Sequence, residues 1–202
     1  MIIKLEVKVP KACEIACSLK MKKGDKDAFL KAIDEDYRVH WIVDNLPVGM
    51  YSTNADRETV FSRGFPVGFH LGTKKSAYKH YLYNHVRIIL QYHDDPKSEK
   101  VEENGGTTKI VGFRVEPMSI KHTWDGGEEV PIAGTTVLKT CNSQTPPSNN
   151  PSNYMSMDKT DTIVFTYDVF WEKSDVEWSG RWDAYLLANA PNNKVGWVGL
   201  IE

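Results

Sequence analysis

At the start of the chain Ile3, Leu5, Val7 and Val9 alternate with Lys4, Glu6 and Lys8. A period of two predicts a strand with one buried face. The same period returns in Leu82, Val86, Ile88, Leu90 and Tyr92, where Tyr81, Tyr83 and Ile89 give the opposite face apolar character as well. That strand is expected to be covered on both sides. Val111, Phe113 and Val115 repeat the pattern, and Ile163, Phe165, Tyr167, Val169 and Trp171 show it most clearly, opposite Thr166, Asp168 and Glu172. Phe165, Tyr167, Val169, Val86, Ile88 and Phe113 are expected to share one core.

One helix is predicted near residues 25–35, with Asp25 as its N-cap, Asp27 at the positive end of the dipole, and Phe29, Ile33 and Tyr37 on one face. A weaker helical signal follows Ser179. The breaks are polar: Asp94 to Thr108 carries Gly105-Gly106 at a hairpin end, and Asn142 to Ser156 holds Pro146, Pro147 and Pro151 among Ser and Asn. Neither separates two self-sufficient halves. The pattern predicts a mainly β, β-sandwich-like fold with one short helix, in a single domain over 1–202.

Composition narrows the function more than the fold. With 202 residues, 41% hydrophobic and 26% charged, the chain has an ordinary globular make-up. Its formal charge of −2 and its short basic runs, Lys20 to Lys26 and Lys74 to Lys79, argue against nucleic acid as a partner. No window approaches the ~20 apolar residues of a membrane span, and Met1 to Pro10 lacks the continuous apolar stretch of a signal peptide.

Candidate chemistry is sparse. His80, His85 and His93 lie on one stretch, but His85 and His93 stand roughly 26 Å apart on an extended strand, so they read as surface or interstrand histidines rather than metal ligands. Asp34-Glu35-Asp36 lacks the alternating oxygens and central Gly of a calcium loop and reads as a solvated helix end. Gly64 to Gly72, broken by Phe65, Pro66 and Phe69, reads as a rigid aromatic turn and not a phosphate cradle. No catalytic residue, cofactor site or metal site is expected. The aromatic cluster near the end is the most suggestive composition: Trp171 is in phase with the buried face, while Trp178, Trp182 and Trp197 suit either a core end or a wet interface. Arg181 beside Trp182 and Asp183 could form a stacked ion pair. Trp178, Arg181, Trp182, Asp183 and Trp197 are the candidate interface.

Five segments in order resemble the lumenal domain of the nonaspanins, the transmembrane 9 superfamily. They are His40 to Val48 (HWIVDNLPV), Gly64 to Phe69 (GFPVGF), Tyr83 to His93, Val115 to His122 (VEPMSIKH), and Phe165 to Leu186 with its Arg181-Trp182-Asp183 run. The match covers about residues 13–187. The resemblance implies a non-enzymatic lumenal domain of a multispanning protein of Golgi and endosomal membranes that helps sort and localise other membrane proteins. Its partners would be membrane-protein cargo and its own transmembrane domain, with membrane association through that domain's helices. The alternative is a carbohydrate- or ligand-binding sandwich, with a hydrolase behind it. Family members carry a signal peptide and a further segment before the region matching Cys13, and nine helices after the Trp-rich stretch; this chain ends instead Gly196-Trp197-Val198-Gly199-Leu200-Ile201-Glu202.

Cys13, Cys17 and Cys141 are an odd set. If Cys13 to Cys17 is extended, their Cα atoms lie about 13 Å apart, beyond the ~7 Å limit of a disulfide. In an oxidising lumen, one bond from Cys141 to Cys13 or Cys17 is expected, leaving one thiol.

Overall fold

The computed structural model describes residues 3, 5–53, 57, 59–73, 76–95, 108–126, 130–158 and 160–187. In chain order the elements are β1 (Lys11–Lys20), α1 (Lys23–Asp34), β2 (Arg38–Val39), β3 (Ile42–Val43), β4 (Leu46–Pro47), β5 (Gly49–Thr53), β6 (Thr59–Arg63) and β7 (Phe65–Pro66). There follow β8 (Gly68–Thr73), β9 (Ser76–Leu82), β10 (His85–Asp94), β11 (Thr108–Met118), β12 (Thr162–Lys173) and α2 (Asp183–Leu187). The protein is mainly β. One six-stranded sheet, ordered β1-β12-β10-β11-β5-β6, carries the structure, and three two-stranded ribbons (β2-β7, β3-β4 and β8-β9) lie beside it.

The strongest period-two segments fill the centre of the sheet. β10 pairs antiparallel with β11 and parallel with β12, in a register that puts Ile88 beside both Val115 and Val169. Val86, Ile88, Leu90, Phe113, Val115, Tyr167 and Val169 are buried together with Leu46, Val48 and Phe65. Five of the six residues expected in one core are therefore in it. Phe165 is half-buried and packs instead on the neighbouring cluster of Ile33, Leu82, Met155, Met157 and Ile163. Ile89 is buried too, as a strand covered on both faces requires.

The first predicted strand is absent. Val9 N–H donates to the Glu6 carbonyl at 3.1 Å, Lys8 has φ 59°, and Val7 and Val9 are exposed, so residues 5–9 make a turn. Alternation there reflects only Ile3 and Leu5, which lean on the main core. The edge strand begins at Lys11, and its register with β12 is irregular around Cys13, where φ is 52°.

Helix α1 lies where the periodicity puts it and packs against β8 and β9. Its cap differs: Lys22 precedes the helix, and Asp25, in the first turn, accepts from the Lys22 N–H at 3.0 Å. Tyr37 falls beyond the helix and is exposed, so Ile33, Phe29 and Leu30 make the inward face. Asp34 is more than a solvated end, since it accepts from the Tyr78 hydroxyl and faces His80 Nε2, each at 2.9 Å.

Gly64 to Gly72 takes in β7 and all but the last residue of β8 rather than one turn. At Gly64 (φ 69°) a Cβ would stand 2.8 Å from the Val39 carbonyl oxygen, and at Gly68 it would collide with the Tyr81 carbonyl and Ile33. Both positions exclude a side chain because strands approach too closely. Asn142 to Ser156 is irregular as expected, and the chain leaving it buries Met155 and Met157. The Gly105-Gly106 hairpin end lies outside the described residues.

Candidate functional site

Three features of the fold bear on function: a lock near the C-terminal end, a buried polar seam, and an apolar cavity.

The lock begins in the HWIVDNLPV segment. Val43 pairs with Leu46, and the two residues between them, Asp44 (φ 48°) and Asn45 (φ 62°), both turn left-handed, as the tightest hairpin requires. Asp and Asn tolerate that region best among non-glycine residues. The turn presents the Asp44 carboxylate to Arg181, whose Nη1 donates to Oδ2 at 2.8 Å while the guanidinium lies 4.3 Å from the Trp178 ring centroid. Arg181 is buried. One turn later the Tyr185 hydroxyl donates to the Pro47 carbonyl at 2.9 Å, and burial pushes its phenol up to about 12, so it stays protonated.

These contacts correct the expected pairing. Arg181 is bonded to Asp44 and not Asp183, and it stacks on Trp178 and not Trp182, because adjacent residues at a helix start do not face one another. Asp183 is exposed at the first residue of α2. Trp182 rests on Tyr185, with ring centroids 5.5 Å apart. Trp197 lies outside the described residues. The outer surface of this segment is apolar: Val176, Trp178, Trp182 and Leu186 are 46%, 48%, 40% and 67% exposed.

The seam runs under the opposite face of the sheet. Thr166 and Asp168, read from the alternation as a polar outer face, are both buried. The residues that follow β11 cross beneath them and bring up His122, Leu138 and Cys141. Thr166 Oγ1 lies 2.8 Å from His85 Nδ1 and 2.9 Å from His122 Nε2, joining the two histidines. Asp168 Oδ1 accepts from the Cys13 N–H at 2.7 Å, while Oδ2 faces His85 Nε2 at 3.3 Å and Arg87 Nε at 3.5 Å. Burial is the largest influence on Asp168 and pushes its carboxyl up, but His85, the Cys13 N–H and Arg87 together outweigh it and hold the group below the usual carboxylate range. Burial, with His85 as a lesser cause, pushes the His122 imidazole down to about 3.

Cys13 and Cys141 are joined by a disulfide, with Cα atoms 5.5 Å apart and a sequence separation of 128. Of the two pairings open to Cys141, the structure has Cys13; Cys17 is outside the bond. His85 is thus interstrand, as expected, but its convergence with His122 was not legible: His122 is 37 positions further on and reaches the seam only because the chain after β11 folds back.

The cavity, about 210 Å³, lies between α1, the ribbons and the sheet. Trp41, Phe65, Leu82, Val86, Phe165 and Tyr167 are among its walls, and among the described residues its only titratable side chains are tyrosines. Trp41 comes from the same HWIVDNLPV segment as Asp44.

The sequence matches the profile of the family described as Endomembrane protein 70 over residues 1–202. It is 31% identical over 196 residues to Transmembrane 9 superfamily member 10 of Arabidopsis thaliana, covering 94% of this chain and 28% of that protein. It is 32% identical over 209 residues to Transmembrane 9 superfamily member 4 of Mus musculus (95% and 29%), and 31% identical over 207 residues to the member 4 of Homo sapiens (95% and 29%). The chain therefore spans less than a third of the length of these relatives. No solved structure matches it. No helix among the described residues is long and apolar enough to cross a membrane.

Proposed function

Because this chain belongs to the endomembrane protein 70 family, we propose that it is the lumen-facing, non-enzymatic domain of a multispanning protein that sorts and localises other membrane proteins through Golgi and endosomes. The observation that carries this reading is the division of residues 176–186 into a locked inside and an apolar outside. Arg181 and Tyr185 are buried and bonded to the β3-β4 ribbon and its Pro47, whereas Trp178, Trp182 and Leu186 face outward. Amphipathic aromatics held on a rigid base suit a boundary between water and an apolar partner. On this reading the partner is the protein's own transmembrane domain, and cargo meets the domain elsewhere, with the apolar cavity suited to hold a side chain.

Two rival readings are weaker on specific grounds. A hydrolase needs a base that substrate can reach. His85 and Asp168 are sealed, and the His122 imidazole, pushed down to about 3, is too weak a base near neutral pH. A sugar platform needs open ring faces, yet Arg181 lies over Trp178 and Tyr185 flanks Trp182.

The test is to tag the gene at its own locus, with an epitope in the exposed 143–146 turn. Co-localisation with Golgi and endosome markers, and protection of the epitope from protease in sealed vesicles, is the expected result. Replacing Trp178 and Trp182 together by Ser is expected to disperse the protein from those compartments while the isolated domain keeps its circular dichroism. A cytosolic product would overturn the proposal, and so would unchanged targeting of the double variant.

A further inference from the structure

The disulfide sits beside a histidine that the proposed function does not use. The Sγ atoms of Cys13 and Cys141 and a ring nitrogen of His85 all lie within 4.8 Å of one another. Cys141 and His85 are fully buried, whereas Cys13 is partly exposed. We propose that Cys13, Cys141 and His85 form a redox-gated zinc site, closed as a disulfide and able to bind one Zn²⁺ after two-electron reduction.

Three observations support the site. First, the spacing is nearly that of a metal centre. Donors around a tetrahedral zinc ion, bonded at about 2.0–2.3 Å, stand roughly 3.5–3.8 Å apart. Cys141 Sγ already lies 3.8 Å from His85 Nδ1. Two groups must move: the Cys13 sulfur, by roughly 2 Å once it is no longer bonded to Cys141, and the Thr166 hydroxyl, which at 2.8 Å from Nδ1 must swing off the ring.

Second, His85 is oriented as a ligand. Its Nε2 faces the Asp168 carboxylate at 3.3 Å, which favours the proton on Nε2 and leaves Nδ1 as the acceptor, held by the Thr166 hydroxyl at 2.8 Å with the Cys141 sulfur at 3.8 Å. A carboxylate behind a histidine is the usual way a zinc-binding imidazole is held and made more basic. Third, neither His85 Nε2 nor Asp168 Oδ2 makes a well-formed hydrogen bond within the described structure, although both are buried. A metal on Nδ1 would polarise the ring and strengthen this contact.

The chemistry balances with a low-molecular-weight thiol as reductant. Its thiolate attacks the sulfur of the partly exposed Cys13, the S–S bond breaks, and Cys141 leaves as thiolate. A second thiol then resolves the mixed disulfide, so that two external thiols become one external disulfide and Cys13 and Cys141 become thiols. Zn²⁺ displaces two thiol protons and accepts the His85 lone pair. Water entering from the Cys13 side takes the fourth position.

The test reduces the purified chain with a non-chelating phosphine and titrates it with Co²⁺, whose thiolate charge-transfer and tetrahedral ligand-field bands report the site, and then with Zn²⁺. One equivalent of Co²⁺, displaced by Zn²⁺, is expected in the reduced chain and in Cys17→Ser. The bands should be lost in Cys13→Ser and Cys141→Ser and absent from the oxidised chain. Asp168→Asn should weaken metal affinity by about 10–100-fold, as loss of a ligand's orienting partner does. If reduction alone unfolds the chain, adding Zn²⁺ during reduction must preserve the circular dichroism of the oxidised form. A folded reduced chain without cobalt bands, binding that depends on Cys17, or unfolding that zinc does not prevent would each overturn the proposal.

Discussion

Arg181 and Asp44, 137 residues apart in sequence, are joined at 2.8 Å with the guanidinium buried and the carboxylate half in water. The bond ties the segment after β12 to the left-handed turn between β3 and β4. Removing the carboxylate leaves a buried cation unanswered, so Asp44→Ala is expected to cost about 1–3 kcal/mol. A double-mutant cycle with Arg181→Met should give a coupling energy above the ~0.2–1 kcal/mol of surface pairs. Additive losses on urea denaturation would mean the contact is incidental.

A second expectation concerns acid. The folded protein holds His122 down to about 3, against 6.5 for an ordinary histidine. Between those values the unfolded chain binds a proton that the folded chain refuses, so stability rises with pH there. The contribution is complete above about pH 6.5 and is lost as pH falls toward 3, by up to ~1.4 kcal/mol per unit for one proton. His122→Asn should flatten the decline in urea midpoint between pH 6.5 and 4.5. Parallel curves for parent and variant would count against a buried neutral imidazole.

The sequence displayed the central strands because each buries a continuous apolar row, and a row of that kind has a period. Its account of Thr166 and Asp168 went astray for the same reason. Alternation separates two faces without telling which is wet, and here the chain after β11 covers the polar one. Ile3 to Val9 failed differently: the side chains alternate, but the turn at Val7-Lys8 leaves no straight backbone to pair. In the candidate interface, Trp178 and Arg181 were visible as residues, while Asp44 was hidden because its role depends on the positive φ of a hairpin turn. The family motifs marked both ends of that contact without showing that they meet.

The disulfide should stabilise strongly. Cross-linking residues 128 apart restricts the unfolded chain by about 4–5 kcal/mol in the chain-entropy model. Cys141→Ser is therefore expected to lower the urea midpoint far more than Cys17→Ser, and non-reducing peptide mapping should find only the Cys13–Cys141 crosslink. A Cys17-containing crosslink, or equal effects of the two substitutions, would refute the assignment.

Core position can be tested at two aromatic rings. Phe113 is buried in the main cluster, and Phe113→Ala should cost roughly 3–5 kcal/mol. Phe165, half-buried against the α1 side, should cost less when truncated. Equal losses would show that the two clusters act as one.

Strand β12 pairs with β1 on one side and β10 on the other, so the edge strand is joined to the sheet by a segment made well after it. Cys13 and the Asp168 that receives its N–H are separated by 155 residues. At roughly 5–20 residues per second, the edge strand waits on the order of 8–30 s for its neighbour to be made. During that interval Cys13 and Cys141 can meet before β12 exists. An oxidant that acts early would then close a loop across a sequence separation of 128 around an unfinished sheet, which makes the order of oxidation and strand insertion a problem for whatever chaperone attends the nascent chain.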